Sequence, residues 1–211
     1  MTVDGRVARG DRTRTAVLDA AVVLASEVGL DGLSLARLAE TLGVSKSGLF
    51  AHWRSKEALQ LATVDRAVEQ WQERIIGPAL RAPRGVRRLW ALHDARIAFY
   101  AARVLPGGCF FATTEFEFNA RPGPVRDRLA EVFERWIAFL QRLVGEAVEA
   151  GELPADVDVA LLAYEIDALG VAAAMRSRLL DPETAYRLAR HGALARLRAL
   201  CPDPTLLPEG P

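Results

Sequence analysis

The chain has few of the residues that build disulfide scaffolds, metal sites or membrane spans. Its two cysteines, Cys109 and Cys201, are too few and too widely spaced for a disulfide framework or a zinc motif. No run approaches the roughly 18 apolar residues that a membrane helix needs, so no membrane partner is predicted. We predict no metal site and no cofactor, and the low cysteine content fits a reducing, cytoplasmic compartment.

The charges balance, so the chain as a whole carries no signal for nucleic acid. It has 27 basic and 27 acidic side chains, and a positive face must therefore come from where the charges lie. Lysine is nearly absent, because only Lys46 and Lys56 occur beside 25 arginines.

Four arginines cluster at the N-terminal side of the first predicted helix: Arg6, Arg9, Arg12 and Arg14. They have two readings that the sequence leaves open. They could meet a DNA backbone or minor groove, or they could form a solvated arm.

Residues 34–53 contain two short amphipathic segments joined at a glycine. Ser34 and Ser45 are each suited to cap a helix N-terminus, and Gly43 is suited to end the first segment in a left-handed conformation. The spacing is that of a helix-turn-helix, with a small residue at Ala39, glycine four positions later and an apolar residue at Leu49. The alternative is an ordinary helical hairpin in which the serines only cap.

The positions without a predicted packing role favour DNA. Lys46, Ser47 and Gly48 follow the cap Ser45 and project from the first turn of the second segment, where base edges would lie. Lys56 stands at the start of the next helix, where free amides and partial positive charge suit a phosphate.

Strand signals are nearly absent, and prolines and glycines divide the rest of the chain into long helical runs. We predict an all-α fold of nine helices, the eighth capped by Asp156 and the ninth by Asp181. Beyond the two short segments, the predicted helices cover about residues 11–28, 55–76, 84–105, 109–120, 124–150, 157–180 and 181–200.

The TetR family of bacterial transcription regulators has a signature that residues 29–59 resemble nearly end to end: GLDGLSLARLAETLGVSKSGLFAHWRSKEAL. The resemblance implies a ligand-responsive, sequence-specific DNA-binding regulator, most often a repressor, that binds a double-stranded operator. It also implies a DNA-binding head over residues 1–54 and a ligand-binding and dimerisation domain over residues 55–200. Residues 201–211 contain four prolines and are predicted to form a loose tail.

The resemblance assigns DNA contacts position by position. Ser34 and Arg37 would approach the backbone, and Phe50 and His52 would take phosphate positions. The complete predicted set is Ser34, Arg37, Ser45, Lys46, Ser47, Gly48, Phe50, His52 and Lys56.

Two residues depart from the family pattern. Phe50 stands where tyrosine is common, so a hydroxyl contact is lost and the alternative is that Phe50 only packs. Trp53 replaces the usual phenylalanine and is interpreted as a larger structural plug. His52 has its own alternative, which is to cap the recognition helix without touching DNA.

Residues 157–200 carry apolar and small side chains on more than one helical face, including Leu161, Ile166 and Ala172. One face would pack on its own bundle and the other on a second copy, giving a two-fold homodimer. The alternative is the central helix of a monomeric bundle.

Aromatic residues are concentrated between residues 71 and 139, with a few polar groups among them. They predict a cavity for an apolar or amphipathic small-molecule effector, and the alternative is a fully packed core. The candidate lining residues are Trp90, His93, Phe110, Thr114, Phe116 and Trp136.

Two other functions compete with the regulator. A small all-helical enzyme would draw on the constellation His93, Cys109, Glu115 and Glu117, but no HExxH, CxxC, P-loop or nucleophile-elbow pattern accompanies it. A helical adaptor would use the hairpin for protein contact. DNA binding that weakens steeply with salt distinguishes the regulator from both.

Overall fold

A computed structural model describes the backbone of residues 5–210 and the side chains of residues 14–210. Arg6, Arg9 and Arg12 of the predicted arginine cluster lie outside the described side chains. Over the described range the chain forms nine helices and no strand, which confirms the all-α prediction. The helices are α1 (Gly5–Val28), α2 (Leu35–Leu42), α3 (Lys46–Phe50), α4 (Lys56–Trp71), α5 (Val86–Ala101), α6 (Phe110–Phe118), α7 (Pro124–Glu149), α8 (Val159–Arg176) and α9 (Pro182–Leu200).

Helix α4 belongs to the helix that is predicted to end near residue 76, but the chain does not leave the helix there. It continues through a π-helical turn at Gln72–Ile76 into a short helical turn at Gly77–Ala79. Pro78 lies in the first turn of that segment, a position at which the fixed φ of proline suits a helix.

The chain folds into two compact units, each built from separate chain segments. The first contains residues 1–70 and 105–130, and the second contains residues 71–104 and 131–211. Helix α6 therefore belongs to the same unit as α1, α2 and α3. The predicted division at residues 54 and 55 differs from these units, because it grouped residues by their order along the chain.

The first unit joins α6 to α1 at the loop before α6. The amide of Gly107 donates to the Ser26 hydroxyl at 3.2 Å, and Ser26 in turn donates to the carbonyl of Val23 at 2.7 Å. A Cβ added at Gly107 would lie 1.7 Å from the Ser26 carbonyl oxygen. Only glycine allows this approach of loop to helix.

The other end of α6 holds the α1–α2 loop. The Glu117 carboxylate accepts from the amide of Leu30 at 2.7 Å and from that of Asp31 at 3.4 Å. Gly29 has a φ of 78°, and a Cβ there would lie 1.7 Å from a Glu117 carboxylate oxygen. Both ends of α6 thus contact the C-terminal part of α1 and the loop that leads into α2.

The second unit packs α5 against α8 and α9. Apolar side chains on the facing sides are buried and form its core: Leu89, Leu92, Ile97, Leu162, Ile166, Leu194 and Leu197. Arg196 donates to Glu165 at 2.7 Å between α9 and α8. A Cβ added at Gly192 would lie 3.3 Å from the Leu169 side chain, so the two helices approach closely at that glycine.

The caps of the last two helices correct one prediction and confirm another. Helix α8 is capped by Asp158, which accepts from the amide of Leu161 at 2.9 Å, so the predicted cap at Asp156 was wrong. The predicted start of α9 is confirmed, because Asp181 accepts from the amide of Thr184 at 2.9 Å and proline follows it.

The C-terminal segment is more ordered than the predicted loose tail. Asp203 accepts from the Thr205 amide at 3.0 Å and starts a short 3-10 turn at Pro204–Leu206. Leu207 is buried. The apolar side chain holds the segment to the protein despite its prolines.

Candidate nucleic-acid interface

The turn between α2 and α3 has the hydrogen bonds that its sequence predicts. The Ser34 hydroxyl accepts from the amide of Arg37 at 3.2 Å, and the Ser45 hydroxyl accepts from the amide of Gly48 at 3.2 Å. Gly43 ends α2 in the left-handed region with a φ of 63°. All three cap predictions are confirmed.

Helix α3 separates packing residues from exposed ones. Leu49 and Trp53 are buried, whereas the residues around the first turn are exposed. The exposed set is Ser45, Lys46, Ser47, Gly48, Phe50 and His52. Because the exposed side chains are short, polar or cationic at the start of α3, this end of the helix can approach another surface closely.

Phe50 does not pack into the core, since 43% of its surface is exposed. The Lys46 ammonium lies 5.6 Å from the centre of the Phe50 ring, a distance at which the ring face attracts a cation. Phe50 therefore supports the lysine side chain that precedes it by one helical turn.

Trp53 is the structural plug that the sequence predicts, with 2% of its surface exposed. The guanidinium of Arg14, from α1, lies 5.7 Å from the centre of its ring. The neighbouring His52 is exposed, and its ring centre is 5.5 Å from that of Trp53. Helix α3 ends with Ala51 as its C-cap, so His52 does not cap it.

Lys56 lies at the start of α4 and is bound to an acidic residue. Its ammonium donates to the backbone carbonyl of Asp31, and it lies 3.0 Å from one carboxylate oxygen of the same residue. The other carboxylate oxygen is 2.8 Å from the Arg121 guanidinium. Arg121 and Lys56 together hold the pKa of Asp31 below its ordinary value.

Sequence reasoning missed Asp31 and Arg121. Asp31 lies in the signature segment, but no rule of spacing pairs it with Lys56, which is 25 positions away. Arg121 follows α6 and lies beyond the segment that the motif covers. Only the packing of α6 in the first unit brings its charge to this loop.

Comparison with known proteins assigns the chain to a family. The model described as "Tetracyclin repressor-like, C-terminal domain" matches residues 85–193, and the model described as "Bacterial regulatory proteins, tetR family" matches residues 17–63. The chain belongs to the TetR family. It is a ligand-responsive, DNA-binding transcription regulator.

Individual relatives agree with this assignment. The chain is 27% identical over 151 residues to the HTH-type transcriptional repressor ComR of Escherichia coli (strain K12), covering 71% of this chain and 72% of ComR. A TetR regulator of Chloroflexus aurantiacus superposes with a TM-score of 0.80 at 28% identity, over 90% of this chain and 94% of that one. AibR, solved with isovaleryl coenzyme A and operator DNA, has the same fold, with a TM-score of 0.65 at 20% identity over 89% of this chain and 97% of AibR.

The predicted effector residues of this TetR-family regulator fall into both units. In the first unit, Phe110 is buried with its ring centre 5.3 Å from that of Phe111. Thr114 is buried too, and its hydroxyl donates to the Phe111 carbonyl at 3.1 Å. The Thr114 hydroxyl therefore forms its hydrogen bond within its own helix. The prediction that Phe116 lines a cavity was wrong, because 63% of its surface is exposed.

In the second unit, His93 offers an unmatched polar atom. Its Nε2 donates to the carbonyl of Ala189 at 3.1 Å, and a carbonyl can only accept, so Nδ1 is left as an acceptor. Within the described part of the chain, that buried Nδ1 has no hydrogen-bond partner. The Trp90 ring centre is 6.2 Å from that of His93. Burial lowers the pKa of His93 to about 4.

Trp136 belongs to a cluster around a buried arginine that sequence reasoning missed. The Arg96 guanidinium lies 5.5 Å from the Trp136 ring centre and 5.6 Å from that of Trp71. Asp167 accepts from Arg96 at 2.7 Å and from the Trp136 indole N–H at 2.7 Å. The guanidinium fits against α8 only because residue 170 is glycine, where a Cβ would lie 2.4 Å from it.

The residues of the competing enzyme hypothesis are divided between the two units. His93 lies in the second unit, whereas Cys109, Glu115 and Glu117 lie in the first. The Glu117 carboxylate is bound to the backbone amides of the α1–α2 loop.

None of the described helices is long and apolar enough to cross a membrane.

Proposed function

We propose that this regulator binds a duplex operator with α3 in the major groove. Lys46, Ser47 and Gly48 would read base edges from the first turn of α3, next to the cap Ser45. The observation that carries the proposal is the separation on α3, where Leu49 is buried and the first-turn residues are exposed. A hairpin that served only to pack would not need this exposed cationic end.

The flanking contacts would position the head on the sugar–phosphate backbone. Arg37 is exposed on α2, three positions after the Ser34 cap, and His52 is exposed beyond α3. Phe50 would act through Lys46 and not through a hydroxyl of its own. Lys56 would provide a phosphate contact at the start of α4.

We further propose a homodimer through residues 157–200. Five large apolar side chains of this segment are exposed in the single chain: Leu161, Tyr164, Leu179, Leu180 and Leu188. Leu179 exposes 90% of its surface. Leu161, Tyr164 and Leu188 lie on α8 and α9, and a central helix of a monomeric bundle would bury them. A second copy is therefore the occupant that two-fold symmetry supplies. A dimer could read two half-sites roughly 34–36 Å apart.

The effector is proposed to be apolar or amphipathic and to bind in the second unit beside Trp90, His93 and Trp136. The orphaned Nδ1 of His93 supports this choice, since a buried acceptor without a partner is costly unless a donor reaches it. The effector would therefore carry a hydrogen-bond donor among apolar groups. AibR, with its bound isovaleryl coenzyme A and operator DNA, is one example of this fold holding an effector.

Repression is the proposed direction of control. An effector that binds better to a dimer unable to bind DNA shifts the population away from the operator complex. The protein would work where the DNA is, in the cytoplasm, and would control transcription without catalysing a reaction.

The test measures binding of the protein to the DNA upstream of its own gene. Fluorescence anisotropy gives the affinity over a range of salt concentrations. We expect tight binding to one fragment, weak binding to a scrambled fragment of equal composition, and a steep loss of affinity with salt. Compounds that bind must lower the affinity for the operator, and the operator must lower theirs by the same factor. Equal, weak binding to both fragments would contradict the proposal.

A further inference from the structure

The carboxylate of Asp31 lies between two cations at the edge of the DNA-binding head. Its Oδ1 is 3.0 Å from the Lys56 ammonium and its Oδ2 is 2.8 Å from the Arg121 guanidinium. Asp31 and Lys56 each expose 48% of their side-chain surface, so solvent and a ligand can reach them. One negative charge is therefore shared by the lysine that is proposed to bind phosphate and by an arginine that follows α6.

The backbone around Asp31 is held in place, so its carboxylate cannot easily move away from Lys56. The Glu117 carboxylate accepts from the amides of Leu30 and Asp31 at 2.7 and 3.4 Å. The Gln60 side chain donates to the Leu30 carbonyl at 2.9 Å from α4. Three fixed contacts thus set the position of this loop relative to the start of α4.

A DNA phosphate and Asp31 need the same group. An ammonium has three N–H donors, and two of those of Lys56 already point to the carbonyl and the carboxylate of Asp31. A phosphate that approaches the third donor also approaches the Asp31 carboxylate, which repels it. Lys56 therefore meets DNA with part of its charge already neutralised.

Arg121 decides how strongly Asp31 acts on Lys56. With both cations present, the positive charge of the guanidinium offsets part of the field that the carboxylate exerts at the Lys56 ammonium and at an approaching phosphate. Without the guanidinium, the whole charge of Asp31 would act on the Lys56 ammonium. The Arg121 guanidinium also lies 5.7 Å from the centre of the Phe118 ring and interacts with the charge of Glu117.

We propose that Asp31 is an internal competitor for the phosphate contact of Lys56 and that Arg121 is a positioning residue that weakens this competition. The inference rests on the proposed DNA contact of Lys56. It assigns a role in operator affinity to two residues that do not themselves need to touch DNA.

The first arm of the test substitutes Asp31→Asn, which removes the charge and keeps the shape. Operator affinity should rise by up to about fivefold per head, the usual range for an exposed ion pair. In the Lys56→Gln background the same substitution should raise the affinity by clearly less, because the lysine contact with which Asp31 competes is gone. Glu40→Gln, at an exposed acid on α2, is the control for net charge. Asp31→Ser is a second variant that removes the same carboxylate.

The second arm substitutes Arg121→Gln. Affinity should fall by up to the same factor of about five per head in the wild-type background and by clearly less in the Asp31→Asn background, where only the general attraction of one positive charge for DNA is lost. Arg121→Lys should restore most of the affinity. Arg126→Gln, at an exposed arginine on α7 in the same unit, should change little.

The double-mutant cycle separates the possible results. An equal fall on Arg121→Gln in both backgrounds would mean that Arg121 binds DNA directly, and it would overturn the proposal. A fall in affinity on Asp31→Asn would mean that Asp31 orients Lys56 for DNA, which also overturns it. If the wild type shows no salt-dependent DNA binding, the proposed function itself fails, and that failure is visible before any variant is measured. Thermal unfolding of each variant checks that the head remains folded.

Discussion

At the scale of single residues, Lys46 is the side chain with the clearest expected role on DNA. Lys46→Ala should lower operator affinity by about 1–3 kcal/mol and relax the preference for one base pair, because a lost base contact costs roughly that much. The melting temperature should stay the same, since Lys46 is exposed and contacts the Phe50 ring at the surface. Anisotropy on the operator and on single-base variants measures both effects.

A matched variant separates base reading from phosphate binding. Lys56→Ala should weaken binding about equally across sequences and reduce the salt dependence. If neither lysine variant changes the affinity at fixed salt, α3 is not the recognition helix.

His93 should make the folded state sensitive to acid. Its pKa is lowered by burial to about 4, whereas an unfolded histidine has a pKa of about 6.5. The unfolded chain therefore binds more protons between these values, and stability that is present above about pH 6.5 is lost as the pH falls towards 4. The contribution is on the order of 3 kcal/mol.

The control is His93→Gln, which can still donate to the Ala189 carbonyl but does not titrate. Its free energy of unfolding, from urea titrations at several pH values, should fall less between pH 7 and pH 4 than that of the wild type. Equal losses in both proteins would show that His93 contributes nothing to the acid sensitivity.

The sequence predicted some of these residues and could not predict others. The cap serines and the exposed residues of α3 follow from local spacing, because a cap acts on amides three positions away. His93 was selected from the sequence as a polar side chain among aromatic and apolar residues. The carboxylate that pairs with Arg96 belongs to Asp167, 71 positions away, and no local pattern connects the two residues.

At the scale of helices and loops, the loop before α6 depends on one glycine. Gly107→Ala should destabilise the protein by about 1–3 kcal/mol, the usual cost of an added group in a packed site. The reason is the 1.7 Å that would separate the new Cβ from the Ser26 carbonyl oxygen. Urea unfolding followed by circular dichroism measures the loss.

Gly145→Ala is the matched control within a helix. Gly145 lies in α7, and a Cβ there would meet no described atom within 4 Å. This substitution should stabilise the protein by about 0.5–1 kcal/mol, because alanine is the better helix former. If both variants lose the same stability, the close approach at Gly107 is not the cause.

Helix existence was predictable because apolar periodicity and breakers act locally. The nine helices, the Gly43 turn and the Asp181 start are of this kind. The contacts of α6 with α1 were not, since they join Gly107 to Ser26 across 81 positions. Helix α6 therefore belongs with the head in space although it is far from it in the chain.

At the scale of the whole molecule, the decisive expectation is the assembly through residues 157–200. On α8, Leu161, Tyr164, Ala168 and Ala172 follow helical spacing and lie on one face. The first three are exposed and Ala172 is half-buried. On α9, Leu188 is exposed as well. A two-fold dimer that buries this face would meet the same residues of the second copy.

Ala168→Glu should break the dimer while leaving each chain folded. The position is exposed in the single chain, so the glutamate stays solvated in a monomer. In the dimer it would be buried without a partner, at a cost of about 3–5 kcal/mol. This cost corresponds to a dissociation constant raised by roughly two to four powers of ten.

Ala138→Glu, at an exposed position of α7, is the control. Light scattering at micromolar concentration should give a dimer mass for the wild type and the control and a monomer mass for Ala168→Glu, with equal helical circular dichroism for all three. Operator affinity should fall with the dimer, because two half-sites are read together. A monomer mass for the wild type would reject this assembly and the two-site reading that depends on it.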